Sequence, residues 1–171
     1  MNFMDYINEI PDFPEKGILF YDISPLFNEP SVFKAVIEEL KIKIELWRPD
    51  ALVGVESRGF LFAIPLALQM NIPFSMIRKK GKLPGKIISE EYDLEYGTDI
   101  IEIKSNAFLS GERVVIIDDL LATGGTAAAC TRLLEKAGCE IAGLAFFIEL
   151  HKLNGREALD KYLIETIMKL D

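Results

Sequence analysis

The sequence predicts a single α/β domain over residues 1–171, with a mainly parallel central sheet flanked by helices. Short, nearly all-apolar runs alternate with amphipathic stretches, the pattern of parallel strands buried on both faces. The length suits one domain, since domains usually run to ~100–150 residues. Hydrophobic residues make up 50% of the chain, enough for a packed core. No internal repeat, low-complexity segment or Pro/Ser-rich linker interrupts it.

Taken in order, Phe3, Met4, Ile7 and Ile10 suggest an opening helix, which the prolines of Pro11-Asp12-Phe13-Pro14 stop. After Gly17, the stretch Ile18 to Pro25 reads as an ordered apolar loop. A helix is expected from Ser31, a suitable N-cap, with Phe33, Val36, Ile37, Leu40, Ile44 and Trp47 on one face; Pro49 ends it. Ala51 to Val55 is a short buried strand, Glu56-Ser57-Arg58-Gly59 a polar turn, and a helix runs on through Met70. Pro73 to Ile77 is the next strand, followed by a basic loop from Arg78 to Lys86. Ile87 to Ile103 reads as a pair of strands around Tyr96-Gly97. Arg113 to Ile117 is the clearest strand of all and leads into Asp118–Thr126 and a helix that Gly138 caps. Glu140 to Leu150, a short helix over Gly155 to Lys161, and a last strand over Leu163 to Met168 complete the chain.

Composition narrows the function. The net charge is −8, which opposes nucleic-acid binding through phosphate neutralisation. No apolar run reaches the ~18–20 residues that span a bilayer, and the first residues lack the basic flank and apolar stretch of a signal peptide. Cys130 and Cys139 read as buried or half-buried thiols in a reducing compartment, so the chain is expected to be cytoplasmic. His151 is the only histidine, which leaves little for a His-dependent triad or a zinc site; a surface strand end suits it better. Phe60, Phe62, Phe146 and Phe147 read as core.

Ligands of parallel sheets bind beyond the carboxyl ends of strands, and three polar loops leave such ends here. The strongest is Asp118-Asp119-Leu120-Leu121-Ala122-Thr123-Gly124-Gly125-Thr126. Its glycines let a backbone approach a ligand closely, and the helix start offers unpaired N–H groups with a positive dipole end. Together with the hydroxyls of Thr123 and Thr126 this suits a phosphate monoester. Two carboxylates would repel a phosphate, so they should face sugar hydroxyls or a cation; a ribose 5-phosphate fits the whole loop. A polar turn followed by an ordinary helix cap is the plainer alternative for such a short motif. The chain contains neither G-x-x-x-x-G-K-[ST] nor G-x-G-x-x-G.

Arg78-Lys79-Lys80-Gly81-Lys82-Leu83-Pro84-Gly85-Lys86 concentrates cations in an acidic protein. It is either a solvated basic loop or a lid that its glycines let move over an anionic ligand. Glu56–Gly59, taken alone, is an ordinary strand-to-helix turn, and Glu95 alone is one acidic residue among 27.

In combination these residues resemble the type I phosphoribosyltransferases, and within them the branch that takes adenine. Val114 to Thr126 is similar to the family's signature for phosphoribosyl pyrophosphate (PRPP). Gly17–Ile23, Glu56–Phe62, Arg78–Gly85 and Leu94–Gly97 resemble the adenine branch in order and spacing. The resemblance implies that family's fold, with a small hood segment and a flexible lid loop. It implies a purine-salvage transferase that turns adenine and PRPP into AMP and pyrophosphate with Mg2+ carried mainly on PRPP, and it implies a homodimer. By position, Ala122, Thr123, Gly124, Gly125 and Thr126 would hold the 5-phosphate, and Asp118 and Asp119 the ribose hydroxyls and developing positive charge. Ser57, Arg58, Arg78, Lys79 and Lys82 would hold the pyrophosphate, Ser57 and Arg58 in a turn where the family often carries a non-proline cis peptide. Glu95 would handle a base proton, and adenine would lie between Phe20 and Leu120, read by the backbone of Leu19 and Tyr21. Tyr21 stands where many members of the family have arginine, and Ala63 where a glycine is often found.

Two other functions share the PRPP signature. A 6-oxopurine transferase would need a donor where adenine's amino group needs an acceptor. A PRPP-sensing regulator would need a DNA-binding domain, whereas only about thirty residues precede the first long helix, against ~50 or more for a domain.

Overall fold

The structure is a computed structural model that describes residues 2–93, 97–108 and 110–171. It forms two compact units, Met1–Glu38 and Glu39–Asp171.

In the first unit a 3₁₀ turn over Phe3–Tyr6 precedes β1 (Asn8–Pro11), which pairs antiparallel with β2 (Leu19–Asp22). The opening helix is therefore shorter than the apolar spacing suggests. Ile10 sits opposite Phe20 in the ladder, and a few residues of helical pattern cannot outweigh paired strands. The expected apolar loop is likewise strand β2 followed by α1 (Ser24–Phe27). Between the strands, Asp12 accepts the Gly17 N–H at 2.7 Å, and the Phe13 and Phe20 rings meet edge to face at 5.1 Å. Helix α2 (Pro30–Ile44) begins one residue before the expected Ser31 cap. The N–H groups of Val32 and Phe33 both reach the Glu29 carbonyl at 3.0 Å, and Pro30 takes the first helical position that proline favours.

The second unit is built on seven strands: β3 (Ala51–Val55), β4 (Phe74–Lys79), β5 (Ile87–Asp93), β6 (Thr98–Lys104), β7 (Arg113–Leu121), β8 (Glu140–Leu150) and β9 (Ile164–Leu170). Their spatial order is β5-β6-β4-β3-β7-β8-β9; the last five are parallel, while β5 and β6 add an antiparallel edge. Helix α3 (Gly59–Met70) and helix α4 (Gly125–Lys136) cover the sheet. Strand side chains alternate between faces. Val53, Val55, Val114, Ile116, Leu144 and Phe146 pack in one cluster with Cys130, Leu133 and Leu134 of α4. Their neighbours of opposite parity meet α3, where Phe62 stacks on Phe147 at 5.5 Å. Phe62, Phe146 and Phe147 are buried as expected, and truncating one of them to alanine would cost roughly 3–5 kcal/mol. Gly143 of β8 exists to admit Trp47, because a Cβ there would run into the indole.

Two strands run on into the polar loops that the sequence nominates. β4 continues through Arg78 and Lys79 because these pair with Glu102 and Ile101 of β6. β7 continues through Asp118 and Asp119 to Leu121 because β8 pairs with it that far. The expected helix over Gly155–Lys161 is a 3₁₀ turn over Gly155–Leu159. Gly138, at φ +86°, follows α4 and gives its helix end the left-handed residue that glycine supplies.

Candidate active site

Three strand ends meet at one pocket of about 370 Å³, lined by Glu56 to Arg58 after β3, Lys79 of β4, and Asp118 to Ala127 after and within β7. Tyr92 of β5 and Asp99 of β6 close its side. Most of the polar residues that the sequence nominates in this unit thus reach one place.

The turn after β3 carries the expected non-proline cis bond, at Glu56–Ser57. It leads directly into α3, whose first residue, Gly59, lies against the end of β7. A Cβ on Gly59 would sit 2.6 Å from the Ile117 carbonyl and 2.9 Å from Asp118 Oδ1, so only glycine brings the turn this close to the carboxylates.

Asp118 and Asp119 are adjacent near the end of β7, and both meet the turn that starts α3. Asp119 turns to the α3 side, where its Oδ2 meets Arg58 Nη2 at 2.6 Å. Asp118 Oδ1 accepts the Asp119 N–H at 2.9 Å and lies beside Gly59 at the start of α3. Burial, and then the neighbouring Asp119 charge, push the Asp118 carboxyl well above the ordinary aspartate range. Burial raises Asp119 as well, and the Arg58 guanidinium opposes that rise.

The loop beyond them turns at Gly124, with φ +85°, into α4. The first helical bond runs from the Ala128 N–H to the Gly124 carbonyl at 2.8 Å. The N–H groups of Gly125, Thr126 and Ala127 therefore stand at the helix start with no carbonyl behind them in the helix, next to the exposed hydroxyl of Thr123. Burial holds the Tyr92 phenol above the ordinary tyrosine range, and the neighbouring Thr126 side chain pulls it the other way.

The basic segment is tied down by carboxylates. Glu56 Oε1 lies 3.3 Å from Arg78 Nη2 and 3.5 Å from Lys82 Nζ, and Glu56 Oε2 accepts the Lys79 N–H at 2.7 Å. Burial alone would raise Glu56, but the Lys79 N–H, Arg78 and Lys82 together bring it below the ordinary glutamate range. Lys79 Nζ pairs with Asp99 at 3.0 Å; that bond raises the lysine and lowers the aspartate. Arg78 Nε is buried without a hydrogen-bond partner, a donor still to be used. Gly81 and Gly85 both hold positive φ, and the Gly81 N–H is anchored on Glu102 at 2.9 Å.

Glu56, Tyr92, Asp99 and Gly59 are the site residues that sequence reasoning missed. Glu56 and Gly59 stood in a nominated turn as spacers; Tyr92 and Asp99 stood in strands of mixed pattern with no motif to mark them. Glu95 lies outside the described residues. Leu120 lines the pocket, whereas Leu19, Phe20 and Tyr21 belong to strand β2 of the first unit. His151 is exposed at the end of β8, and Cys130 and Cys139 are buried free thiols, all as expected. Among the described residues no helix is long and apolar enough to cross a membrane.

The chain is similar to known proteins over nearly its whole length. A family model for the phosphoribosyl transferase domain matches residues 22–169. An adenine phosphoribosyltransferase of Gluconobacter oxydans is 54% identical over 160 residues, covering 94% of this chain and 89% of that protein. The crystal structure of the adenine phosphoribosyltransferase of Thermoanaerobacter pseudethanolicus superposes with a TM-score of 0.96 at 46% identity, covering 98% of each chain. That of the Saccharomyces cerevisiae enzyme, in complex with an iminoaltritol bisphosphate and adenine, has a TM-score of 0.92 at 40% identity and covers 96% of each chain. On the strength of this full-length likeness and of the loop that ends β7, the chain belongs to the phosphoribosyltransferase family, in its adenine phosphoribosyltransferase branch.

Proposed function

We propose that this chain performs purine salvage by transferring the 5-phosphoribosyl group of PRPP to adenine, giving AMP and pyrophosphate. The observation that carries the reading is the continuous run from Asp118 to Thr126, with two carboxylates at the strand end and free N–H groups at the helix start. The bond from the anomeric carbon to the pyrophosphate oxygen breaks ahead of bond formation between that carbon and a ring nitrogen of adenine. Positive charge develops on the ribose ring between these events.

In this reading Ala122 to Thr126 grip the 5-phosphate through backbone N–H groups and the two threonine hydroxyls. Asp118 and Asp119 accept hydrogen bonds from the ribose hydroxyls and stabilise the developing charge. Ser57 and Arg58 hold the pyrophosphate at the cis turn, and Arg78, Lys79 and Lys82 neutralise it as it leaves. At present Arg78 and Lys82 are paired with Glu56, and Lys79 with Asp99, so the pyrophosphate would replace carboxylate partners. Glu95 takes or shares a proton of the base, raising the nucleophilicity of the attacking nitrogen. Leu19, Phe20, Tyr21 and Leu120 are assigned to adenine on the family resemblance.

The residues suit a Mg2+ that arrives on the diphosphate rather than one held by the chain. Asp119 faces Arg58 at 2.6 Å, and the family resemblance implies that the cation comes mainly on PRPP. When bound, the cation would offset charge on the pyrophosphate. The reading also puts the chain in the cytoplasm, where buried free thiols remain reduced, as a homodimer like that implied by the family, with neither nucleic acid nor membrane as partner.

Calorimetric titration with ribose 5-phosphate tests the phosphate cradle. Saturable binding that Thr123→Ala weakens several-fold supports it; equal binding by both proteins removes it.

A further inference from the structure

Behind the phosphate loop lies an ion pair to which the reaction assigns no part. Glu149, near the end of β8, is only 3% exposed, and a carboxylate so buried demands partners. Arg156 meets it with two parallel bonds, Nε to Oε1 at 2.7 Å and Nη2 to Oε2 at 2.8 Å. The remaining Nη1 donates to the Ile164 carbonyl of β9 at 3.2 Å, and Thr166 of β9 donates to Glu149 Oε2 at 3.1 Å. One guanidinium therefore fastens the 3₁₀ turn Gly155–Leu159 to two neighbouring strands.

That turn is the back wall of the loop Ala122–Thr126. A Cβ on Gly155 would collide with the Ala122 carbonyl and come within 3.0 Å of the Leu121 side chain. A Cβ on Gly124 would collide with the Gly155 carbonyl and lie 3.1 Å from the Ala158 Cβ. Backbone meets backbone here, with no side chain between to absorb a shift. A 3₁₀ turn has little stability of its own, so its height against the loop is set by what holds its ends. Leu159, fully buried in the α4 cluster, holds one end; Arg156, one residue from Gly155, holds the other.

We propose that Arg156 and Glu149 are positioning residues for PRPP: through Gly155 they fix the Ala122–Thr126 backbone at the height at which its N–H groups meet the 5-phosphate. This rests on the reading of that loop as the phosphate cradle. Small displacements of such donors are costly, because aligned groups lose much of their effect when moved by an ångström or less.

The test uses the full chain with Arg156→Lys, which keeps the charge but not the paired geometry, and Glu149→Gln as a second variant of nearly the same shape. Steady-state kinetics with adenine and PRPP, ribose 5-phosphate titration and melting temperature are measured for each. Both variants should raise KM for PRPP about tenfold while KM for adenine stays within about twofold, and ribose 5-phosphate affinity should fall in parallel. A lower melting temperature with both KM values unchanged overturns the proposal, as does an equal rise in both. Thr123→Ala, run beside them, separates the two levels. If it weakens ribose 5-phosphate binding while Arg156→Lys and Glu149→Gln do not, the positioning role fails and the cradle stands. If none of the three variants weakens it, the cradle fails and the positioning role goes with it.

Discussion

Arg58 Nη2 stands 2.6 Å from Asp119 Oδ2, so the cation of the turn after β3 is bound to the carboxylate that ends β7. The two strand ends that would hold opposite halves of PRPP are thereby joined before any substrate arrives. Replacing Arg58 by methionine keeps the stem and removes the charge. It should lower kcat/KM for PRPP at least ~10-fold, since Asp119 then loses its counter-charge and the pyrophosphate a donor. Unchanged kcat/KM for PRPP in a steady-state assay would contradict this.

Glu56 occupies two of the cations assigned to the leaving group, Arg78 and Lys82. Pyrophosphate must compete with it for both. Glu56→Gln keeps an oxygen for the Lys79 N–H but gives up the charge, so product inhibition by pyrophosphate should tighten about two- to fivefold, the worth of partly exposed pairs. An inhibition constant that stays the same or weakens would count against the competition.

Asp118 is raised above its ordinary range by burial and by Asp119. An acid raised by folding is favoured in its neutral form, so its contribution to stability is complete below the unfolded pKa and is lost as pH rises through the folded one. Asp118→Asn should therefore melt higher than the unaltered chain near pH 7, with the gap closing towards about pH 4. It should also lose roughly 10²-fold in kcat through lost charge stabilisation. Thermal melts across that pH range, with kcat at neutral pH, check both halves.

Much of this was legible in the sequence because it depends on local pattern. The run Arg113 to Thr126 announced a strand, a turn and a helix, and each element lies there, since apolar periodicity and Gly-Gly both act within a few residues. What the sequence hid depends on distant pairing. β4 gained Arg78 and Lys79 only because β6 bonds to them, and Ile10 became part of a strand only because Phe20 lies opposite. The carboxylates Glu56 and Asp99, which hold the basic segment, were hidden for the same reason. Glu56 is 22 residues from Arg78 and 26 from Lys82, and Asp99 is 20 from Lys79; no spacing rule links a carboxylate to a cation that far along a chain.

Glu95 is assigned to proton handling at the base. Glu95→Ala should then reduce kcat by a far larger factor than it raises KM for PRPP, because the group acts on adenine and not on the phosphoribosyl donor. Steady-state kinetics with PRPP varied at saturating adenine reads the two parameters separately, and equal losses in both would oppose the assignment.

The most direct measurement offers the chain PRPP and Mg2+ with adenine, hypoxanthine or guanine in separate reactions and follows nucleotide by chromatography. The account predicts rapid AMP formation with adenine and none with either 6-oxopurine. Turnover of hypoxanthine or guanine in place of adenine would contradict the assignments of Phe20, Leu120 and Glu95, and turnover of no base would contradict the reaction itself.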